Sequence, residues 1–158
     1  MIEYRLASSD DDIALARNLF TEYGRSLNFG FCFQDFDREL ASLPGEYSPP
    51  YGRLILVFHL QNSVGCVALR KIDPQVCEMK RLYVRPEFRG EGFGRALAET
   101  AMEEAKRIGY RFMRLDTIPE MKEAISLYES IGFKKIPPYL RNPAPGAIFM
   151  GIDLTDFE

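Results

Sequence analysis

The 158-residue sequence has little of what metal and disulfide chemistry need. It contains one histidine, His59, which excludes a histidine-rich metal site. Its cysteines, Cys32, Cys66 and Cys77, are odd in number and not closely paired, so they suggest neither a disulfide framework nor a zinc knuckle. There is no apolar run long enough to cross a bilayer. A net charge of −3 without a basic tail gives no general attraction to nucleic acid. The opening stretch, MIEYRLASSDDD, carries acid where a secretory signal has basic residues and an apolar core. Repeats, linkers and low-complexity segments are also missing. These absences lead to an expectation of a reduced, cytoplasmic protein with no metal, no nucleic-acid partner and no membrane partner.

What remains is ordinary globular material. An apolar share of 46% and an aromatic share of 13% suit one packed domain over residues 1–158. IEYRLA alternates like a strand, and SSDDD offers a helix N-cap. Ile13, Ala16, Phe20, Tyr23 and Leu27 then share one helical stripe. QDFDRELASLPG reads as a second short helix that buries Phe36, Leu40 and Leu43 and stops at Pro44-Gly45. RLILVFHL and VGCVALRKI form an expected antiparallel hairpin joined by QNS, followed by the strand VCEMKRLYV. Residues 92–108 place Phe93, Leu97, Ala101, Ala105 and Ile108 on one helix face, with Gly109 closing it. RFMRLDT is a strand, EMKEAISLYESI a helix capped by Gly132, and AIFMGIDL the last strand, reached through the proline-rich IPPYLRNPAPG. The order implies an α/β (α+β mixed) architecture: a mixed sheet with helices on both faces and one parallel crossover between residues 77 and 117.

The run RGEGFGRALAE is the chemical signal. A helix start presents free backbone N–H groups and the positive end of the dipole. Gly90, Gly92 and Gly94 allow positive φ and close approach of a phosphate, and Arg89 and Arg95 add charge. A P-loop would end in Gly-Lys-Ser/Thr, whereas this run has Gly94-Arg95-Ala96. A dinucleotide fingerprint beginning at Gly92 needs a third glycine where Leu97 stands, although Asp116 occupies a place suited to a ribose-binding acid. A tight strand-to-helix turn without any ligand also accounts for the glycines.

The segments EMKRLYVRPEFRGEGFGRAL and MKEAISLYESIGF, in this order, resemble the GNAT superfamily of acyl-CoA-dependent N-acetyltransferases. The resemblance runs from about residue 51 onward. It implies a single-domain fold whose mixed, mostly antiparallel central sheet is splayed in the middle. It also implies acetyl-CoA as co-substrate, with amides of residues 89–94 on the pyrophosphate. That places Arg89, Gly90, Glu91, Gly92, Phe93, Gly94 and Arg95 at the coenzyme, and Leu82, Tyr83, Val84 and Thr117 along the pantetheine. Tyr128 takes the family's position for the acid that protonates the leaving thiolate, and Glu78 aligns with a base for the amine. The backbone N–H of Leu82 becomes the oxyanion donor. Each catalytic assignment has a plain alternative: Tyr128 shares a helix face with Ala124, Ile125 and Ile131 and suits a core, and Glu78 could pair with Lys80 on the surface. Met121 stands where many members carry asparagine, which puts one pantetheine contact in doubt.

The acceptor is expected between the N-terminal helices, with Phe29, Phe31, Phe33 and Phe36, and the loop around Tyr139, Arg141 and Asn142. Arg70, Lys80 and Arg81 could hold an acceptor carboxylate or serve as ion pairs. The reading is an N-acetyltransferase for a small or amino-acid-like amine, ahead of a protein acceptor, with a homodimer left open. The rivals are a catalytically inactive coenzyme A-binding regulatory module and a nucleotide-binding oxidoreductase.

Overall fold

A computed structural model describes residues 2–26, 36–139 and 146–157. The chain runs β1 (Ile2–Leu6), α1 (Asp10–Arg25), α2 (Phe36–Ser42), β2 (Arg53–His59), β3 (Asn62–Asp73) and β4 (Val76–Val84). It continues through α3 (Phe93–Ile108), β5 (Phe112–Thr117), α4 (Lys122–Ile131), β6 (Lys134–Lys135) and β7 (Ile148–Asp153). The strands form one seven-stranded sheet in the order β1-β2-β3-β4-β5-β7-β6. Every adjacent pair is antiparallel except β4 and β5, the two strands joined through α3.

Helix ends follow their local chemistry. Ser9 Oγ accepts from the Asp12 N–H at 3.0 Å and caps α1, and three aspartates occupy its positively polarised first turn. The α3 chain turns off at Gly109, whose left-handed conformation lets its N–H reach the Ala105 carbonyl. The hairpin between β2 and β3 is tighter than the QNS loop expected. Leu60 and Gln61 alone make the turn, with φ of 51° and 70°, and Asn62 and Ser63 are already strand. Two successive left-handed residues twist in the sense of the flanking strands, which favours the two-residue turn.

Two apolar layers flank the sheet. On one face α1 and α2 bury Ala16, Leu19, Phe20 and Phe36 against Leu54, Leu56, Cys66 and Ala68. On the other, α3 buries Phe93, Leu97, Ala101, Met102 and Ala105 against Ile55, Val57, Val67 and Leu69. Each large side chain so buried contributes about 1.5–3 kcal/mol. The expected stripes hold, except that Ile13, Tyr23, Leu40 and Ile108 are only half-buried and Leu19 joins the core. Expected positions Leu27, Phe29, Phe31, Cys32, Phe33, Arg141 and Asn142 lie outside the described residues.

Two irregularities shape the middle of the sheet. Parallel pairing of β4 with β5 covers only Val76–Glu78 against Phe112–Arg114, and beyond Glu78 the strands part. The register of β4 against β3 also shifts between Lys80 and Tyr83, where Arg81 is left-handed at φ 60°. Such a conformation costs a non-glycine residue about 1–3 kcal/mol. It is held by a bidentate ion pair, in which Arg81 Nε and Nη2 donate to Glu39 of α2 at 2.8 and 3.0 Å. The bulge turns Leu82 and Val84 toward the α3 side, where they pack against its apolar layer, and leaves Glu78, Lys80 and Arg81 toward α1 and α2.

Candidate active site

Where β4 parts from β5, a groove of about 500 Å³ opens between the end of β4, the start of α3 and the start of α4. Its floor is Leu82, Tyr83 and Val84, and one wall is Phe88, Arg89, Gly90, Gly92, Phe93 and Gly94. The opposite wall is the α4 entrance, including Met121, Lys122, Ala124 and Leu127. Both helices enter the groove without a capping side chain: Gly92 and Met121 stand at their N-caps, and neither makes a side-chain cap bond. The first N–H groups of two helices are therefore available at the groove, which favours anionic or carbonyl-rich ligands.

The glycines divide by role. Gly90 and Gly92 have φ of 83° and 88°, and an added Cβ would meet nothing within 4 Å. They are required by backbone conformation. Gly94 differs from expectation: it is the second residue of α3 with no positive φ, and an added Cβ would sit in ordinary contact, 3.6 Å from Leu127. Its missing side chain matters only for what lies in the groove.

The flanking cations are already engaged. Arg89 Nε donates to the Val84 carbonyl at 2.9 Å, and its guanidinium lies 5.7 Å from the Tyr83 ring centre. Arg95 donates to Ser130 Oγ at 2.9 Å and pairs with Glu99, away from the groove. The groove lining includes neither Arg95, nor Glu91, nor Thr117, which ends β5. Of these two arginines only Arg89 lines the groove, beside the amides of the α3 entrance.

Tyr128 lies on α4, 7% exposed, with its ring 5.7 Å from that of Phe133. Among the described residues its hydroxyl has no hydrogen-bond partner. Burial pushes its phenol above the ordinary tyrosine value of 10.0, and Tyr23 and Asp116 add to the rise. Neither Tyr128 nor Glu78 is among the residues that line the groove.

Glu78 sits at the last β4 position paired with β5 and is completely buried. It is not part of a surface pair with Lys80. Its oxygens accept from Arg70 Nε, directly across on β3, at 2.8 Å and from the Tyr139 hydroxyl at 2.7 Å. Arg70 also pairs with Glu46. Lys80 is nearly as buried and lies 3.9 Å from Asp116. Burial and the neighbouring Arg81 depress its ammonium below 10.5, against the pull of Glu78 and Asp116. Tyr139, before the undescribed part of the proline-rich loop, rests edge-on against Phe149, under the Arg114 guanidinium. Burial and the Glu78 charge push its phenol upward.

Cys66 and Cys77 are both buried, and burial raises their thiols, Cys77 to about 12. Neither has the accessible, lowered-pKa setting of a nucleophile. Sequence reasoning missed Tyr23 of α1, Ser26 that caps its end and the α4 cation Lys122 as groove lining. Lys122 follows directly on Met121, so its position at a helix entrance was legible. Tyr23 reaches the groove only because α1 ends over it.

Residues 16–133 match the acetyltransferase (GNAT) family. An uncharacterized N-acetyltransferase of Schizosaccharomyces pombe is 37% identical over 148 residues, covering 92% of this chain and 88% of the relative. Among solved structures, a GNAT-family acetyltransferase of Staphylococcus aureus superposes with a TM-score of 0.81 at 19% identity, covering 98% of this chain and 99% of its own. An acetyltransferase of Salmonella typhimurium, solved with its cofactor acetyl-CoA, has a TM-score of 0.76 at 21% identity, with 97% and 94% covered.

Proposed function

The chain belongs to the GNAT family of acetyltransferases and is an acyltransferase, and on that premise we propose that it moves an acetyl group from acetyl-CoA to the primary amine of a small acceptor. The observation that carries this reading is the groove at the parted strands, with two uncapped helix entrances opening onto it.

The fit to a coenzyme A diphosphate rests on the α3 entrance. Amides of residues 89–94 would hold the pyrophosphate, aided by the open space beside Gly90 and Gly92. Beyond Glu78 no β5 residue pairs with β4, so the backbone edge of Leu82–Val84 is free of a strand partner on that side and can take a pantetheine like an added strand. The bound coenzyme supplies an acetyl thioester, whose transfer to an amine needs a proton removed and a proton donated.

Tyr128 is the proposed donor of the second proton. Its raised phenol stays protonated at neutral pH, and its hydroxyl is uncommitted among the described residues. Glu78 is the proposed acceptor of the first proton, directly or through water. Arg70 balances its buried charge, and the Tyr139 hydroxyl holds the oxygen that an incoming ammonium would take. The Leu82 N–H is the proposed donor to the carbonyl oxygen. The acceptor approaches from the α1–α2 face, where Lys80 and Asp116 stand beside Glu78.

A calorimetric titration with acetyl-CoA, followed by a thiol-release screen over amino acids, polyamines, aminoglycosides and peptides, tests the proposal. Saturable binding with amine-dependent release supports it. No binding at millimolar coenzyme overturns it, and binding without turnover on any amine points to a regulatory module.

A further inference from the structure

All five residues of β1 are exposed. Its expected alternation is present, yet among the described residues no helix covers its apolar side: Ile2, Tyr4 and Leu6 are 52%, 39% and 47% exposed. Their cross-strand partners include Ile55 and Val57, which belong to the layer under α3, so the apolar surface of the sheet continues past the helix onto β1. Glu3 and Arg5 lie on the opposite side, where Arg5 pairs with Glu3 at 3.3 Å and Asp12 of α1 at 3.0 Å and rests 4.4 Å from the Phe58 ring centre.

Among the described strands β1 ends the sheet, so its outer edge carries main-chain groups that no described strand pairs. Which groups face outward follows from the inner bonds. The Ala7 N–H donates to the Leu54 carbonyl at 2.8 Å, so Ala7, Arg5 and Glu3 are the residues bonded to β2. The N–H and C=O groups of Ile2, Tyr4 and Leu6 therefore point away from the molecule.

We propose that this edge pairs with the same edge of a second copy of the chain, antiparallel, with the two-fold axis between the two Tyr4 residues. In that register Ile2 faces Leu6 of the other copy, and Glu3 faces its Arg5. All outward main-chain groups of Ile2, Tyr4 and Leu6 bond across the axis, and the sheet runs unbroken through both copies. Charge selects the register. Matching outward-facing residues restricts slips to two positions. A slip one way sets Glu3 against Glu3, and a slip the other way sets Arg5 against Arg5, each with fewer main-chain bonds. A self-complementary sequence of this kind is what an isologous interface requires. With five residues a side the contact is small, so association in the range of about 10 μM is expected.

Sedimentation velocity over a concentration series reads the proposal directly. The wild-type chain should shift from monomer to dimer with rising concentration. Tyr4→Pro removes an N–H that serves only the second copy, and should weaken dimerisation by more than tenfold while thermal melting stays near wild type. Glu3→Arg should weaken it similarly by setting two arginines opposite each other, and adding Arg5→Glu in the same chain should restore it. A chain monomeric at every concentration overturns the proposal. So does a dimer that neither Tyr4→Pro nor Glu3→Arg weakens. Neither Glu3, Tyr4 nor Arg5 lines the groove, so acetyl-CoA binding should be the same in all variants. Loss of coenzyme binding in the wild type would instead count against the functional reading.

Discussion

The two sides of β4 are built from different materials. Toward α3, the groove is made of backbone: two left-handed glycines, two uncapped helix entrances and a strand edge that β5 abandons. Toward α1 and α2, the surface is made of side chains: Glu78 with Arg70 and Tyr139, Lys80 with Asp116, and Arg81 with Glu39. The backbone side depends on conformation, and the proposed ligand for it is an extended molecule with an anionic end. The side-chain side depends on buried charges from several elements, so on the proposed function a few substitutions there should retune the acceptor without disturbing the donor.

If that division holds, substitutions should separate coenzyme affinity from turnover. The largest effect belongs to Tyr128 at the junction. Tyr128→Phe should lower kcat by roughly 100-fold, with the coenzyme Kd within about twofold. Because burial holds the Tyr128 phenol above 10.0, it stays protonated to beyond that pH, and any alkaline fall in kcat at lower pH must come from another group. Next come the glycines. Gly92→Ala forces a left-handed alanine, costs about 1–2 kcal/mol and should lower Tm by about 2–8 °C. Gly94→Ala sits in ordinary helix and should leave Tm unchanged or slightly raised, yet weaken coenzyme binding by about tenfold through its methyl in the groove. Equal behaviour of the two variants would break the distinction between conformational and contact glycines.

On the other side, Tyr139→Phe removes one hydrogen bond from Glu78. It should change the acceptor KM or the pH profile by about fivefold and leave coenzyme binding alone, as a bond worth about 1 kcal/mol would. The smallest effect is expected at Arg89→Ala. Its guanidinium is exposed and already bound to the Val84 carbonyl, so coenzyme affinity should fall by no more than about fivefold.

The same division decided what could be read in advance. Helix α3 and its glycine entrance carry their signal locally, in periodicity and in residues that tolerate left-handed backbone. The hairpin turn was less legible, because Leu60 and Gln61 are not residues that usually seek positive φ and the tertiary twist of β2 and β3 imposes it. Glu78 was recognisable as a charged residue in a buried strand, but its partners were not: Arg70 and Tyr139 lie 8 and 61 residues away in sequence. The bulge at Arg81 was equally hidden, since it depends on Glu39 from α2. The oxidoreductase alternative ends with the sheet topology, which holds a single parallel pair among its described strands where a doubly wound fold needs several.

Amide chemical shifts of the nitrogen-15-labelled protein, followed during titration with coenzyme A, test the central claim most directly. The backbone account predicts saturable shifts concentrated at residues 89–94, at Leu82–Val84 and at the α4 entrance from Met121, and little change at Glu78 and Arg70. Shifts confined to the α1–α2 face, or none at millimolar coenzyme, would contradict it.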